Sequence, residues 1–312
     1  MDEILESLSS SARITLDDDD LSLIHPRYAD YKPKKPYGQA ERRRKWVTEQ
    51  KEKRCDNLIL NRKIGDLECE DDSDEEDEAM AVCEKSAKKI TSRNQFKNCL
   101  MMSCWLVDVP EEFATDWYYL ICPRGQRAFV VASHGKTTVY SRRGHFMMKF
   151  NSALPGGNYD SPRAHTAIDC IYSASNRTFY VIDVLVWGIP LTNCSAELRF
   201  FWLMNKFAEN PELSNESRKN QHKFVLLNRA LVQSLPQAMD VHPVFENNEP
   251  QVDGIIFFHR EGLYVEGKSL LVTWLLPFMV QDILHIPVHE AYKAEIPINY
   301  ESKTAKMDTD TS

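Results

Sequence analysis

The sequence predicts an α+β fold, in which mostly antiparallel strands carry helices at their periphery and one long charged helix precedes them. The first observation behind this prediction is the region from about Asn94 to His289, where short β-branched and aromatic runs alternate with turn residues. The second is the stretch Gly38–Gly65, which consists almost entirely of good helix formers. The first region is about 195 residues long, a usual size for one domain.

The individual elements follow from these patterns. A short helix is expected near Asn94–Met102, another after Trp202, and a third over Pro277–Leu284, where the proline suits a first helical position. Period-2 and aromatic-rich runs predict strands at Trp117–Cys122, Ala128–Ser133, Thr137–Tyr140, Phe146–Phe150, Ala167–Tyr172, Thr178–Val186, Glu197–Leu203, Gly254–His259 and Ser269–Trp274.

The composition excludes several classes of protein. Charged residues make up 27% of the 312 and hydrophobic residues 43%, with a net charge of −8, which is an ordinary soluble profile. No run approaches the length of a transmembrane helix, and the Met-Asp-Glu start has no basic region of a secretory signal. The eight cysteines include no CxxC and the nine histidines no HxH or HExxH. We therefore expect a reducing compartment, no metal site, no cofactor and no disulfide framework.

The charged helix has almost nothing apolar to bury. Ala40–Gly65 holds nine Lys/Arg and four Asp/Glu, and the next segment, Asp66–Glu78, is acidic at 10 of its 13 positions. Gly65 stands where a left-handed C-terminal cap would end the helix. A helix that is polar all round is a solvated surface element, a segment that waits for a partner, or a nucleic-acid-binding segment. The sequence pattern alone leaves these three interpretations open.

The N-terminus also has a pattern of its own. Apolar residues at Met1, Ile4, Leu5 and Leu8 fall at helical spacing, which by itself indicates a frayed amphipathic end.

Taken together, these patterns divide the chain into five predicted parts: residues 1–20, an N-terminal segment; 21–65, a basic arm with a helix over about 39–64; 66–93, a disordered acidic linker; 94–290, the folded domain; and 291–312, a disordered tail.

The basic arm resembles a known family. His25–Tyr28, Asp30–Lys32, Glu41–Arg44 and Gln50–Arg54 are similar to the importin-β-binding domain of the snurportins, import adaptors for spliceosomal small nuclear ribonucleoproteins. The resemblance implies that the acidic inner surface of importin-β holds this segment, a pairing that charge complementarity favours. The basic residues that it implies in the contact are Arg27, Arg42, Arg43, Arg44, Lys45, Lys51, Lys53, Arg54 and Arg62.

The same resemblance gives the N-terminal segment a role. Snurportins carry a leucine-rich epitope that a nuclear exportin reads, and its implied anchors here are Met1, Ile4, Leu8 and Ile14. Ala12 stands where the family pattern has a large apolar residue.

The folded region resembles the nucleotidyltransferase domain of messenger-RNA capping enzymes and DNA ligases. Cys122–Arg127 falls where those enzymes carry Lys-x-Asp-Gly-x-Arg, and three further motifs follow in the same order, at Ile168–Asp183, Val252–Phe257 and Val272–Pro277. Nucleotidyl transfer needs a lysine that attacks the α-phosphate, and this position is Cys122. The resemblance therefore implies a pocket that binds a nucleotide without reacting, and no catalytic residue.

The snurportin resemblance continues into this domain through Met102–Pro110, Leu154–Asn158 and Trp274–Val280. It implies the 2,2,7-trimethylguanosine cap of small nuclear RNA as the ligand, a cationic base that an indole face attracts. The residues implied in cap binding are Trp274 as the stacking partner, Trp105 at the methylated edge, Ser103 and Met102 at the guanine, Gly125, Gln126 and Arg127 in a contacting turn, and Arg142 at the phosphate bridge. From the residues alone, both tryptophans also fit a core and Arg142 an ordinary exposed charge.

These expectations describe a non-enzymatic import adaptor that shuttles between nucleus and cytoplasm. Its implied partners are trimethylguanosine-capped RNA, importin-β and a nuclear exportin, with no membrane. Two alternatives stay open: an enzyme of the capping or ligase class, and a cap-independent RNA-binding protein that uses Arg42–Lys45.

Overall fold

The computed structural model describes residues 38–67, 96–297 and 300, with side chains described only as far as Arg54 in the first of these ranges. The predictions for the N-terminal segment, for Arg27 and the arm before Gly38, for the acidic linker after Leu67 and for most of the C-terminal tail lie outside the described residues. None of the helices within the described ranges is long and apolar enough to cross a bilayer.

The first element is helix α1, which spans Gln39–Leu67 and 29 residues. It continues through Gly65, so this glycine does not end the helix as the sequence suggested. At about 1.5 Å per residue, α1 is on the order of 43 Å long. Such a length exceeds what one small domain needs for packing, and only part of α1 has described contacts with the rest of the chain.

The remaining elements form an α+β domain rich in antiparallel pairs, which confirms the predicted fold class. The helices are α2 (Phe113–Asp116), α3 (Ala196–Glu209), α4 (Leu235–Met239), α5 (Met279–Leu284) and α6 (Glu290–Lys293). The strands are β1 (Met101–Trp105), β2 (Trp117–Pro123), β3 (Gln126–Ser133), β4 (Lys136–Ser141), β5 (Phe146–Phe150), β6 (His165–Ser173), β7 (Thr178–Trp187), β8 (Ile189–Pro190), β9 (Lys223–Leu226), β10 (Ala230–Leu231), β11 (Val252–His259) and β12 (Gly267–Leu275).

Two sheets organise the domain. The five-stranded sheet has the order β1-β12-β11-β2-β10, with β1 parallel to β12 and the other pairs antiparallel. The seven-stranded sheet runs β5-β4-β3-β6-β7-β8, and β9 adds to β7 in parallel. Strands β2 and β3 are consecutive but belong to different sheets, so the turn between them crosses from one sheet to the other.

The main core lies between the two sheets. It combines Leu120, Phe258 and Trp274 from the five-stranded sheet with Phe129 and Ile171 from the seven-stranded one. A second apolar cluster packs α4, α5 and α6 on the outer face of the five-stranded sheet. A third covers the outer face of the seven-stranded sheet. Each sheet is thus buried on both faces, which explains why several strands have nearly continuous apolar runs.

The predicted strand Glu197–Leu203 is wrong, because this segment belongs to helix α3. Its dense aromatic content favoured a strand. The buried residues of α3 are Ala196, Arg199, Phe200 and Leu203, which is the spacing of one helical face. Ser195 caps the helix through its side chain, which accepts a hydrogen bond from the Leu198 amide at 3.4 Å.

The predicted helix near Asn94–Met102 is also wrong. Its described part has turns at residues 96–98 and then strand β1 from Met101. Strand β1 pairs in parallel with β12, far along the chain, and a local pattern cannot show such a long-range partner. At the other end, residues 291–297, assigned from sequence to a tail, carry most of α6, and Tyr292 is 1% exposed in the second cluster.

Candidate functional site

Two tryptophans stand side by side at the end of the five-stranded sheet. Trp105 is the last residue of β1, and its parallel partner on β12 is Trp274. Register between the two strands breaks between Met102 and Cys104, and Ser103 lies in this break. Trp274 is 5% exposed, whereas Trp105 is only partly buried. The structure therefore brings together four of the predicted site residues on two adjacent strands.

Gly254 makes room for one of these indoles. A Cβ at this position would lie 2.3 Å from Cζ2 of Trp274 and 2.7 Å from the carbonyl oxygen of Leu275. Only glycine therefore lets the Trp274 ring lie directly against the backbone of β11. Gly254 is not among the predicted site residues, although a glycine inside a strand indicates a close approach of another group.

The turn between β2 and β3 contains the predicted residues Gly125, Gln126 and Arg127. A Cβ on Gly125 would lie 2.5 Å from the carbonyl oxygen of Tyr172, so this turn packs tightly on the end of β6. Gln126 is exposed. Arg127 points inward instead, and its Nε and Nη2 donate to the two carboxylate oxygens of Asp169 at 2.6 and 2.7 Å.

The Arg127–Asp169 pair is tied to strand β1. Tyr264 donates its hydroxyl proton to Asp169 at 2.9 Å and accepts a hydrogen bond from the Met101 amide at 3.1 Å. Arg127 Nη2 also donates to the Met101 carbonyl at 3.4 Å. Burial alone would lower the pKa of Arg127, but the Asp169 carboxylate outweighs this and raises it. Arg127 therefore remains charged and fixes the start of the strand that carries Trp105.

A second buried ion pair lies beside the first. Asp183 is opposite Asp169 in the β6–β7 register, and it accepts two hydrogen bonds from Arg199 at 2.8 Å with both side chains fully buried. Arg229 donates to the carbonyls of Val181 and Ile182, and burial lowers its pKa to about 10. Both carboxylates of the predicted middle motif are thus engaged with guanidinium groups.

The resemblance assigns Cys122 to the position of a nucleophile, and the structure shows how this thiol is placed. It is completely buried on β2, and its thiol contacts the carbonyl of Leu120 at 3.8 Å. A reactive thiol needs exposure and an electropositive setting, and a buried thiol in an apolar core is inert. Thr273, in the predicted last motif Val272–Pro277, is fully buried as well.

Arg142 lies between two strands of the seven-stranded sheet, whereas both tryptophans belong to the five-stranded sheet. It is exposed at the tip of the β4–β5 hairpin. Gly144 at the same tip, with φ +81°, packs against the backbone of Phe96 and Lys97. Because these residues lead into β1, the hairpin tip borders the beginning of the site strand. The contribution of Arg142 to ligand binding stays a prediction.

Two family models match the chain. The model described as "Snurportin1, m3G cap-binding domain" covers residues 99–277, which is more than half of the chain, and includes both tryptophans. A second model, described as "Snurportin1", covers residues 25–63. The chain belongs to the snurportin-1 family.

Solved structures that are similar to this snurportin-family chain include DNA ligases. A mycobacterial DNA ligase D complexed with ATP and MES shares 16% identity, with a TM-score of 0.37 over 56% of this chain and 58% of that one. A Chlorella virus DNA ligase-adenylate shares 14% identity, with a TM-score of 0.36 over 55% of this chain and 64% of that one. The chain spans less than two thirds of these two ligases, and similarity at this level assigns no activity.

The second snurportin match contains most of helix α1, which lies against the folded domain. Gln39 Nε2 donates to the Trp105 carbonyl at 3.2 Å, and its Oε1 accepts from the Asp108 amide at 3.0 Å. Arg43 Nη1 donates to the Asp108 carbonyl at 2.6 Å, and its guanidinium lies 5.6 Å from the centre of the Trp117 ring. Burial lowers the pKa of Arg43 to about 10, although Asp108 opposes the shift.

The next turns of α1 contact the loop after β11. Gln50 Oε1 accepts a hydrogen bond from the Leu263 amide at 3.1 Å. Two cations of α1 bind Glu261. Lys51 forms an ion pair with its carboxylate at 2.7 Å, and Arg54 donates a hydrogen bond to its backbone carbonyl at 2.9 Å. The helix thus has a binding surface in its own chain, which its polar sequence did not predict. Apart from the contact of Arg43 with the Trp117 ring, these contacts join side chains to backbone or to a carboxylate, so no apolar stripe was needed.

The basic residues that the resemblance implied in importin-β binding fall into three groups. Arg43 is buried and Arg54 partly buried in the docked helix. Arg27 and the side chain of Arg62 lie outside the described residues. The exposed ones, Arg42, Arg44, Lys45, Lys51 and Lys53, include Arg44 at 3.3 Å from Glu111 and Lys51 in its pair with Glu261.

Proposed function

We propose that this chain is a nuclear import adaptor that binds the 2,2,7-trimethylguanosine cap of spliceosomal small nuclear RNAs and recruits importin-β through α1. The observation that carries the proposal is the pairing of Trp105 with Trp274 inside the region that the cap-binding family model matches. A reader of a flat, cationic base needs aromatic surface, and this pair supplies it from two adjacent strands.

The chemistry of the cap suits this arrangement. Methylation at N7 gives the base a positive charge, so an indole attracts it by stacking and by cation–π interaction. Two methyl groups on N2 remove both hydrogens of that amine, so the edge calls for apolar surface such as the Trp105 ring. Because Trp274 is 5% exposed, the base must displace neighbouring side chains before it stacks on this ring. The break in the β1–β12 register at Ser103 is a place where β1 can move to admit the base.

The chain is not a nucleotidyltransferase in this proposal. The buried thiol of Cys122 stands in place of the lysine nucleophile, and both middle-motif carboxylates are paired with arginines. The test is incubation with labelled GTP or ATP, with a capping enzyme run in parallel as a positive control. A covalent nucleotide adduct on this chain would contradict the proposal.

The N-terminal parts complete the proposed cycle. Importin-β would take up the exposed basic residues of α1, and a nuclear exportin would return the empty adaptor by its N-terminal epitope. The proposed localisation is therefore shuttling between nucleus and cytoplasm. A titration of importin-β with a variant that carries Arg42→Glu and Lys45→Glu tests the first step. Unchanged affinity in this variant would remove α1 from the importin-β interface.

The cap side is tested by quenching of tryptophan fluorescence with trimethylguanosine and 7-methylguanosine cap dinucleotides. We expect a preference for the trimethylated cap that Trp105→Ala and Trp274→Ala each abolish. Trp202→Phe is the control, since Trp202 belongs to the outer cluster. Truncation of a buried tryptophan costs about 3–5 kcal/mol of stability, so each variant is first checked by thermal unfolding. Equal, weak quenching of the wild type by both caps would overturn the proposal.

A further inference from the structure

A broad basic hollow lies on the outer face of the seven-stranded sheet, away from the tryptophan pair. Its volume is about 650 Å³, and it opens between the end of β5, the β6–β7 hairpin and the loop before β9. Lys149, Arg177 and Arg218 line it, against the single carboxylate of Glu216. The hollow therefore carries a local excess of positive charge on a chain whose net charge is −8.

The three cations of the hollow are available for a ligand. Lys149, Arg177 and Arg218 are all exposed, and within the described part of the chain none of them forms an ion pair. The neighbouring Lys219, in contrast, is bound to Asp160 at 2.7 Å. Exposed cations that converge on one concave surface without carboxylate partners favour a polyanion as the ligand.

Two buried rings lie under the floor of the hollow, Phe150 with 6% and His222 with 9% of its surface exposed. The rings of Phe150 and His222 meet edge to face with their centres 4.5 Å apart. The Nδ1 atom of His222 lies 3.2 Å from the Arg177 carbonyl, and burial lowers the pKa of this histidine, so the ring is neutral at physiological pH. The floor is therefore uncharged, and the cations at the rim set the electrostatic potential of the hollow.

A chain of contacts joins the hollow to the β2–β3 turn that the resemblance assigns to the cap. Gly125 in the β2–β3 turn packs on the backbone of Tyr172. The Tyr172 ring lies 6.1 Å from the ring of His222, which lines the hollow. In the β3–β6 register Tyr172 is opposite Gln126, so the hairpin that carries Arg177 projects from the strand ends where the turn lies. One row of residues thus leads from the turn into the basic hollow.

We propose that this hollow binds the backbone of the first nucleotides that follow the cap, so that the protein holds an RNA strand as well as its modified end. The inference rests on the proposed cap-binding function. RNA is favoured over an acidic peptide because the hollow is reached from the cap-contacting turn, where the strand that follows the cap would begin.

The test compares two probes on the full chain: a trimethylguanosine cap dinucleotide and a fluorescent decaribonucleotide with the same cap. The variant combines Lys149→Glu, Arg177→Asp and Arg218→Glu; aspartate suits position 177 because its φ is +54°. Each neutralised phosphate of a single strand changes the slope of log K against log salt by about 0.7. For three contacts, the added affinity of the longer probe should fall about 20-fold between 50 and 200 mM salt, and the variant should abolish this fall.

The control variant makes the same change of charge elsewhere on the domain, at Arg163, Lys206 and Lys293. It should bind both probes like the wild type. A neutral variant, Lys149→Gln with Arg177→Asn and Arg218→Gln, separates lost attraction from added repulsion. It should lose most of the affinity that the capped decaribonucleotide has beyond that of the dinucleotide. Thermal unfolding of the two hollow variants should match the wild type, since their changed side chains are exposed. The control variant loses the Lys206–Glu209 and Lys293–Glu290 pairs at the surface, so its melting temperature is compared separately.

The outcomes separate this inference from the proposed function. If the capped decaribonucleotide binds the wild type no more tightly than the dinucleotide, or if the control variant loses as much as the hollow variant, the RNA path is refuted and cap binding stands. If the dinucleotide does not bind but an uncapped decaribonucleotide depends on the three cations, the proposed cap function fails and the RNA surface stands.

Discussion

Gly254→Ala offers the sharpest test of how the tryptophan pair is built. The added methyl group would lie 2.3 Å from Cζ2 of Trp274, whereas ordinary contact begins at 3.4 Å. The indole must therefore move by about 1 Å, because an approach this close lies deep in the repulsive part of the van der Waals potential. The backbone cannot give way easily, because the carbonyl of Leu275 would be only 2.7 Å from the same methyl group.

The expected magnitude follows from this crowding. Overpacking of a closely packed core costs about 1–3 kcal/mol, so the free energy of unfolding should fall by about 2 kcal/mol. If the displaced ring loses a similar amount of stacking energy, affinity for the trimethylguanosine cap should drop by about 10- to 100-fold. The two losses arise from one movement and should therefore appear together.

The assay combines urea unfolding with cap titration on Gly254→Ala, Trp274→Ala and the double variant. In the double variant the ring is gone, so the alanine should cost less than it does in the wild type, with a coupling energy of about 1 kcal/mol. Gly262→Ala is the milder control, since its Cβ would lie 3.1 Å from the carbonyl oxygen of His259 and 3.4 Å from the Leu271 side chain, distances that a small shift relieves. Wild-type stability and cap affinity in Gly254→Ala would refute this account of the site.

Four further predictions follow from the buried groups. Asp169→Asn should destabilise the fold by about 3–5 kcal/mol in urea unfolding, because it leaves the guanidinium of Arg127 buried without its charge partner. Burial lowers the pKa of His222 in the folded state, so the unfolded chain takes up its proton first, below about pH 6.5; melting temperature should fall from pH 7.5 to 5.5, and His222→Gln should reduce this fall. Arg43→Met should tighten the docking of α1, seen as slower hydrogen exchange in the helix, because it removes the burial of a permanent charge. Cys122 should resist alkylation in the native protein and react only on unfolding, and rapid native labelling would contradict its burial.

Much of the fold could be predicted because most strands show an apolar, β-branched pattern in their own local sequence. The run Thr178–Val186 is apolar and β-branched, and β7 extends only one residue further. The failures lie where local composition and tertiary role disagree. Segment Ala196–Glu209 is rich in aromatics, yet its buried positions have helical spacing. Strand β1 depends on a parallel partner that no local pattern can show.

The site was accessible to sequence reasoning only through its motifs. Resemblance located Trp105 and Trp274, and the structure places them opposite each other, although it does not test their role. Resemblance did not show that Arg127 forms an ion pair with Asp169, which Tyr264 also binds. A charge in a ligand-contacting turn and a charge in a buried network have the same local sequence. The sequence shows Gly254 as part of a motif, but it does not show why a glycine is needed there. The need arises because the Trp274 ring, from another strand, packs against this position.

The docking of α1 has a consequence for how strongly any partner can hold this helix. Arg43 cannot lie under the Trp117 ring and on another protein at the same time. The domain therefore acts as a competitor attached to the same chain, and the apparent dissociation constant of a partner that needs Arg43 rises in inverse proportion to the undocked fraction. A helix that is docked nine times out of ten weakens such a partner by about tenfold. Since Gln39 also bonds the Trp105 carbonyl, a ligand that shifts the end of β1 changes that fraction, and by thermodynamic reciprocity the partner changes the affinity for the ligand by the same factor.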